Sequence, residues 1–337
     1  MKTHKNLFQE VCKFENLYNA YLKARRGKNN IAEVLKFTYN LEYELLKLQY
    51  ELISQTHKTG KYRHFVIFEP KEREISALPF RDRVVHHAIC SVIEPIFEKI
   101  FISDSYACRK GKGTHAGANR IQMFIRKANK SNRNYYALKC DVSKYFPSVN
   151  HEILKQLIKE KIGDKRLLQL LDNIIDSTEK GIPIGNLTSQ LFANIYLNKL
   201  DEYVKYELKM KYYIRYMDDF IILHESKQEL HEIKEKVKLL FISMKLTLHP
   251  KKANIFPITL GVDFLGYRIF SNHRLVRKST VKRFLKSVKG KIKKYDYGSI
   301  DFNKLMESFN SWEAYMDHGN SYNLKKSLHE RCFKNVI

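Results

Sequence analysis

The sequence predicts an α+β core followed by a basic helical tail. Three observations carry that expectation. Short runs rich in β-branched and aromatic residues alternate with longer stretches whose apolar residues recur at three- and four-residue steps, so strands alternate with helices. Residues 212–225 read YYIRYMDDFIILHE, two strand-like runs joined by a short polar step, which is a β-hairpin with Met217, Asp218 and Asp219 at or near its turn. From residue 273 onward, Lys and Arg fill the gaps between spaced apolar residues, as on a basic amphipathic helix.

Bulk composition narrows the partners. A chain of 337 residues is long enough for two or three packed subdomains. Its 61 Lys and Arg against 36 Asp and Glu leave a net charge of +25. That excess favours a polyanionic partner, with a membrane surface or plain solubility as alternatives. No run approaches the roughly 18 uninterrupted apolar residues of a spanning helix. The opening MKTHKNLFQEVCKFENLYNAY lacks the apolar core of a signal peptide. The 5 cysteines (Cys12, Cys90, Cys108, Cys140 and Cys332) are odd in number and form no C-x-x-C, so they read as reduced thiols. The expectation is a cytoplasmic protein with a nucleic-acid partner and no membrane.

Taken in order, residues 5–55 carry helical periodicity at Ile31, Val34, Leu35, Leu41, Leu45, Leu48 and Leu52, and ARRGKNN at 24–30 divides two helices. A strand pair is expected at 64–68 and 74–80, then a helix over 82–100. Residues 105–118, SYACRKGKGTHAGA, fit neither the P-loop nor the dinucleotide pattern. They read as a flexible basic loop with Arg109, Lys110 and Lys112 available to phosphates, or equally as a solvated surface loop. YYALKCDV at 135–142 is a strand that delivers Asp141 at its end. Helices over 150–160 and 166–177 follow.

A turn-rich loop at 181–190, GIPIGNLTSQ, then opens a long helix with Leu191, Phe192, Ile195, Leu200 and Val204 as its buried stripe. Ser226 and Glu229 match a capping box for a helix to about residue 244. Strands are expected at 246–248, 254–256 and 262–270, followed by a basic helix from residue 273 with Val281, Leu285, Val288 and Ile292 inside. A last helix, 302–318, carries the only tryptophan, Trp312.

Two carboxylate positions stand out, Asp141 at a strand end and the Asp218–Asp219 pair in the hairpin. Aspartate is a common turn residue, so the pair alone proves little. Phosphoryl transfer assisted by two divalent ions, however, needs carboxylates converging from separate elements, with the ions about 3.5–4 Å apart. Magnesium takes such hard oxygen ligands and keeps several waters, so two or three carboxylates suffice. Phe146, in DVSKYFPSV, would close the space below a nucleotide sugar; a core aromatic is the plainer reading.

At these residues the chain resembles reverse transcriptases, in successive motifs over roughly 60–325. EREISALPFRDRVVHHAI and DSYACRKGKGTHAGA look like fingers motifs, DVSKYFPSV like the first palm motif, and GIPIGNLTSQ like the nucleotide- and template-contacting loop. YMDD looks like the paired catalytic aspartates, LTLHPKKANIF like the motif whose lysine nears the triphosphate, and GVDFLGYRIF like the primer grip. The resemblance implies a right-hand polymerase fold: N-terminal helices and fingers at 1–134 with a contribution from 147–180, a palm at 135–270 and a basic helical thumb at 271–337.

It also implies site residues. Asp141, Asp218 and Asp219 would be catalytic and, with Val142, hold two Mg2+ ions, for which Mn2+ substitutes. Arg73, Arg81, Tyr145, Phe146, Ile184, Gly185, Gln190 and Lys252 would bind the nucleotide, with Phe146 as the filter against a 2′-hydroxyl. Arg109, Lys110, Lys112, Lys282, Lys286 and Lys289 would meet nucleic acid, and Phe264, Leu265, Gly266 and Tyr267 would form the primer grip. The plainer reading of Arg73 and Arg81 is pairing with Glu72, Glu74 or Asp82.

One departure carries information. Most reverse transcriptases have Pro-Gln-Gly in the loop, whereas this chain has Pro183-Ile184-Gly185. The GNLTSQ form is similar to diversity-generating retroelement enzymes, which copy a template RNA into cDNA with errors opposite adenine and work with a small basic accessory protein. The expected partners are therefore template RNA, primer and cDNA, deoxynucleoside triphosphates and such a protein. A phage-defence or intron-type reverse transcriptase is the alternative enzyme, and an RNA-binding scaffold the non-enzymatic one.

Overall fold

Four helices open the chain: α1 (Leu7–Cys12), α2 (Phe14–Arg25), α3 (Ala32–Tyr39) and α4 (Leu41–Ile53). The two expected helices are thus four. Lys13 takes an extended backbone and Asn40 leaves the helical region, breaks that apolar spacing does not reveal. The computed structural model of the chain describes residues 3–68, 72–131 and 133–333.

β1 (Arg63–Phe68) and β2 (Glu72–Ala77) form an antiparallel ribbon. The second strand stops short of residue 80 because Pro79 already caps the buried helix α5 (Phe80–Glu98). The expected basic loop is partly helix, since α6 (Thr114–Asn129) begins inside it. Its Gly117 answers close packing: a Cβ there would lie 2.8 Å from Leu265 Cδ1.

β3 (Tyr136–Asp141) leads to a short turn of helix, α7 (Tyr145–Ser148), and then α8 (His151–Lys159) and α9 (Lys165–Ile175). The N-terminus of α8 is capped by Asn150 and that of α9 by Asp164. α10 (Leu187–Glu202) runs into a π-helical turn, Tyr203–Glu207. It is buried on nearly every side, polar residues Thr188, Ser189, Asn194, Asn198 and Asp201 included. The expected single stripe understates this. A helix in such surroundings must find partners for its polar groups inside the protein.

β4 (Tyr212–Tyr216) and β5 (Asp219–His224) make the central hairpin, and α11 (Lys227–Ser243) follows, its first turn capped by Ser226 accepting from the Glu229 amide at 3.1 Å. The strand expected at 246–248 reduces to one bridge between Val142 and Leu248. β6 (Asn254–Pro257) is present.

The run 262–270 is two strands, β7 (Val262–Phe264) and β8 (Tyr267–Ile269), around Leu265 and Gly266 at φ 51° and 87°. Positive φ at both positions is the mark of a two-residue I′ hairpin. The basic tail then begins with a strand, β9 (Arg274–Val276), because Tyr267 and Val276 pair across the sheet. The helix starts only at Lys278: α12 (Lys278–Asp296), then α13 (Phe302–Asp317) and α14 (Tyr322–Phe333).

The four-stranded antiparallel sheet has the order β4-β5-β3-β6 and divides two cores. Side chains alternate across it. Tyr213, Phe220 and Ile222 join the core built with α1–α5 and α8–α11. Tyr212, Ile214, Ile221 and Leu223 join the core under α6, the three-stranded sheet β7-β8-β9 and α12–α14. The ends of β3 and β5 therefore sit where both cores brace them.

Candidate active site

Strand register assembles the carboxylates. β3 and β5 are antiparallel with Asp141 opposite Asp219, and β4 and β5 pair Tyr216 with Asp219. Met217 and Asp218 are left as a two-residue turn, so all three aspartates lie at one end of the two central strands. Met217 holds φ 54°, a left-handed backbone that tight hairpins demand and that long side chains rarely take. The Val142 amide donates to the Asp218 carbonyl at 3.2 Å and the His249 amide to the Asp141 carbonyl at 2.8 Å.

Two lysines face the carboxylates. Lys252 Nζ lies 2.7 Å from Asp141 Oδ2. Lys139 Nζ lies 3.2 Å from Asp219 Oδ2 and donates to the Asp263 carbonyl at 2.6 Å. Burial pushes the Asp219 carboxyl up to about 6, Lys139 opposing and the neighbouring Asp141 and Asp218 adding to the rise. Asp218 is also raised, by burial and then Asp141, while Lys252 and Arg73 pull it back. Arg73, exposed on β2, is thus near enough for its charge to be felt at the turn.

These groups suit a divalent cation in chemistry. The donors are hard carboxylate oxygens, and Asp219 Oδ1 is buried without a hydrogen-bond partner among the described residues. As the side chains stand, no three His, Cys, Asp or Glu groups among the described residues converge closely enough to hold an ion. Lys252 and Lys139 instead engage Asp141 and Asp219 separately.

The 181–190 loop is clamped between two backbones. The Ile182 amide donates to the Phe146 carbonyl at 2.9 Å, and the Ser76 amide of β2 donates to the Ile184 carbonyl at 2.8 Å. Gly185 has φ 133°, and a Cβ there would sit 2.7 Å from the Ser76 carbonyl oxygen, so no larger residue fits. Ile184 is half-buried, and Gln190 is exposed on the first turn of α10. Tyr145 is buried, its hydroxyl donating to the Ala193 carbonyl at 2.5 Å, and the half-buried Phe146 ring stands edge-on to it at 5.8 Å. Tyr145 therefore braces Phe146, and the exposed part of the pair belongs to Phe146.

Several basic residues sit otherwise than expected. Arg81 pairs with Glu51 of α4, and not with Glu72, Glu74 or Asp82. Arg109 is nearly buried, held by Glu98 at 2.6 Å and by the carbonyls of Ile102 and Ser105 at 2.6 and 2.9 Å. It ties its own loop down. Lys112 donates to the Ser103 carbonyl at 2.7 Å, and Lys110 is exposed. Lys282, Lys286 and Lys289 are exposed on α12, whose Phe284 and Val288 are buried. Phe264 and Tyr267 are buried, Tyr267 donating to the Tyr315 carbonyl at 2.9 Å, and the half-buried Leu265 and Gly266 form the tip of that hairpin.

Lys139, Asp201 and Arg215 are not among the site residues expected from the sequence. For the two cations the signal was there: a charged residue inside an apolar strand, in YALKCD and in YYIRY. Arg215 and Asp201 form a fully buried ion pair at 2.5 Å behind the turn.

The reverse transcriptase (RNA-dependent DNA polymerase) family profile matches residues 57–269, which hold every carboxylate and lysine of this site. The chain belongs to the reverse transcriptase family. Among curated relatives, protein YkfC of Escherichia coli K12 is 27% identical over 285 residues, 71% of this chain and 72% of its own. The group II intron-encoded protein LtrA of Lactococcus lactis is 26% identical over 298 residues, 66% of this chain and 47% of its own. Among solved structures, apo telomerase from Candida tropicalis lacking its C-terminal domain superposes with a TM-score of 0.53 at 14% identity, over 70% of this chain and 60% of that one. The reverse transcriptase fold here is accordingly the right-hand polymerase fold, and the enzyme is an RNA-directed DNA polymerase.

Proposed function

We propose that this reverse transcriptase makes cDNA from a template RNA in the error-prone manner of a diversity-generating retroelement, using two magnesium ions. The observation that carries the reading is the joining of Asp141, Asp218 and Asp219 at one strand end with a loop that has Ile184 where a glutamine is usual. Divalent ions bound there would activate the primer 3′-hydroxyl and neutralise the leaving pyrophosphate. Asp141 and Asp219 would exchange their lysines for metal, and Asp218 and Val142 would complete the set. Lys252, released from Asp141, would turn to the triphosphate beside Arg73. Arg81 would join them only by leaving Glu51.

Phe146, braced by Tyr145, would exclude a ribose 2′-hydroxyl, and Gly185 would let the loop lie against β2 under the incoming base pair. An apolar Ile184 removes an amide that would test base-pair geometry, and a site without that polar interaction discriminates less. Residues 135–270 would be the palm, 271–337 the thumb and 1–134 the N-terminal helices and fingers. The exposed lysines of α12 would track the duplex backbone in a salt-dependent way. A small basic accessory protein completes the expected assembly in the cytoplasm of a bacterial or phage-infected cell.

The test is magnesium-dependent incorporation of deoxynucleotides on a primed RNA. Asp218→Ala/Asp219→Ala should abolish it, and full activity in that variant would refute the assignment. Ile184→Gln should lower misincorporation opposite template adenine; an unchanged error spectrum would show that Ile184 does not set fidelity. The similarity to LtrA favours a second reading, an intron-type enzyme, for which errors would show no preference for adenine.

A further inference from the structure

We propose that Arg215 is a positioning residue for the catalytic turn, acting with Asp201 to fix the backbone that carries Asp218 and Asp219. Both side chains are fully buried. The guanidinium meets the carboxylate through two bonds, Nε to Oδ1 at 2.7 Å and Nη2 to Oδ2 at 2.5 Å. Tyr213 adds its hydroxyl to Asp201 Oδ1 at 2.6 Å. The remaining nitrogen, Nη1, donates to Asn194 Oδ1 at 3.2 Å and to the Met217 carbonyl at 3.0 Å. Asn194 is itself tied to the Ala107 carbonyl at 3.0 Å.

The anchor is held from both sides. The Arg215 amide donates to the Asp104 carbonyl and its carbonyl accepts from the Tyr106 amide, each at 2.9 Å. The side chain crosses to α10, and its last bond reaches the one residue of the turn with a left-handed backbone. Burial works against the guanidinium charge, and Asp201 more than offsets it, so the fork stays protonated.

Stability alone does not explain this arrangement. Apolar side chains of similar size replace buried ion pairs with little loss, and often with a gain. What apolar side chains cannot supply is a donor for the Met217 carbonyl. A lysine cannot supply the geometry either, because a single ammonium lacks the planar fork that serves carboxylate and carbonyl together. The function left to the pair is to set where the turn, and hence each carboxylate, stands. The inference rests on reading Asp218 and Asp219 as metal-binding carboxylates.

Two variants test it: Arg215→Met/Asp201→Leu, which substitutes an apolar pair, and Arg215→Lys, which keeps the charge. The first readout is amide hydrogen exchange of the peptide spanning 216–219, taken without metal or nucleotide. The proposal expects faster exchange there and unchanged exchange in β3 and α10. Calorimetry with Mn2+ alone should show weaker binding. Incorporation should fall about a hundredfold in kcat, the scale of loss from an ångström of misplacement, with the nucleotide KM and primed-RNA affinity unchanged. Wild-type exchange at the turn and wild-type Mn2+ affinity in either folded variant would overturn the proposal. Should the double variant fail to fold, Arg215→Lys decides alone. Because exchange is read without turnover, this result stands apart from whether Asp218→Ala/Asp219→Ala abolishes activity.

Discussion

Asp219→Asn separates the catalytic role proposed for this carboxylate from what it does to the fold. In the folded chain its pKa rises from 3.8 to about 6, chiefly through burial. At about 1.4 kcal/mol per pH unit, that rise corresponds to roughly 3 kcal/mol of unfavourable free energy for the ionised group. Asparagine removes the charge but leaves the Lys139 ammonium without its anionic partner, which takes back part of the gain. The expected net stabilisation at pH 7.5 is about 1–3 kcal/mol.

The pH dependence follows from the direction of the rise. The folded state holds this proton more tightly than the unfolded state does. Wild-type stability therefore falls, relative to the variant, as pH climbs from about 4 to about 6, and stays lower above. Urea unfolding in EDTA at pH 4, 6 and 7.5 reads the difference directly. Near pH 4 the two proteins should unfold alike, and by pH 7.5 the variant should need more urea. Magnesium at pH 7.5 should narrow the gap by stabilising the wild type more, since a bound cation favours the folded state by mass action. Incorporation should be lost throughout. A variant less stable than wild type at pH 7.5, or a gap independent of pH, would refute the account of Asp219 as a strained buried charge.

Gly185→Ala should destabilise the chain by about 1–3 kcal/mol, from positive φ and the close approach to Ser76, and raise the nucleotide KM; an unchanged melting temperature and KM would count against the clamp between loop and ribbon. Phe146→Ala should let ribonucleotides compete in a primed-RNA assay while leaving the fold intact, because the buried support is Tyr145; continued exclusion of ribonucleotides would remove Phe146 as the filter. Lys282→Glu/Lys286→Glu/Lys289→Glu should weaken primed-RNA binding and flatten its salt dependence by about one unit of slope for each phosphate no longer neutralised; an unchanged slope would place the duplex elsewhere.

How far the sequence could be read depended on whether the deciding interactions were local. The central hairpin was legible because alternation fixes which face each residue takes, and a two-residue turn leaves little freedom in register. Asp141 was legible as the end of an apolar strand, although its pairing with Asp219 is tertiary. The break at Leu265–Gly266 was hidden because Leu is an unusual partner for Gly in an I′ turn, and without the Asn-Gly signal the run 262–270 reads as one strand. β9 was hidden because three residues with two arginines close by carry no strand pattern; only the seat beside β8 makes them one. Arg81 and Arg109 read as available cations because their anions, Glu51 and Glu98, belong to other elements. Basic composition says how many positive charges exist and nothing about which are already engaged.

That distinction changes the meaning of the basic excess. A charge of +25 is a statement about attraction at a distance, screened within about 10 Å at moderate salt. The charges that shape chemistry here are paired at close range: Lys252 with Asp141, Lys139 with Asp219, Arg215 with Asp201. The first two pairs are partly exposed and sit among carboxylates whose ionised forms burial penalises, so a divalent ion of the kind proposed would compete with these lysines for the carboxylates. The third is sealed, forked and bonded to the turn itself, and no ion can compete for it. Exchangeable cations at the carboxylates and a fixed cation behind them are different solutions to the same demand, that acidic groups be gathered on one strand end without flying apart.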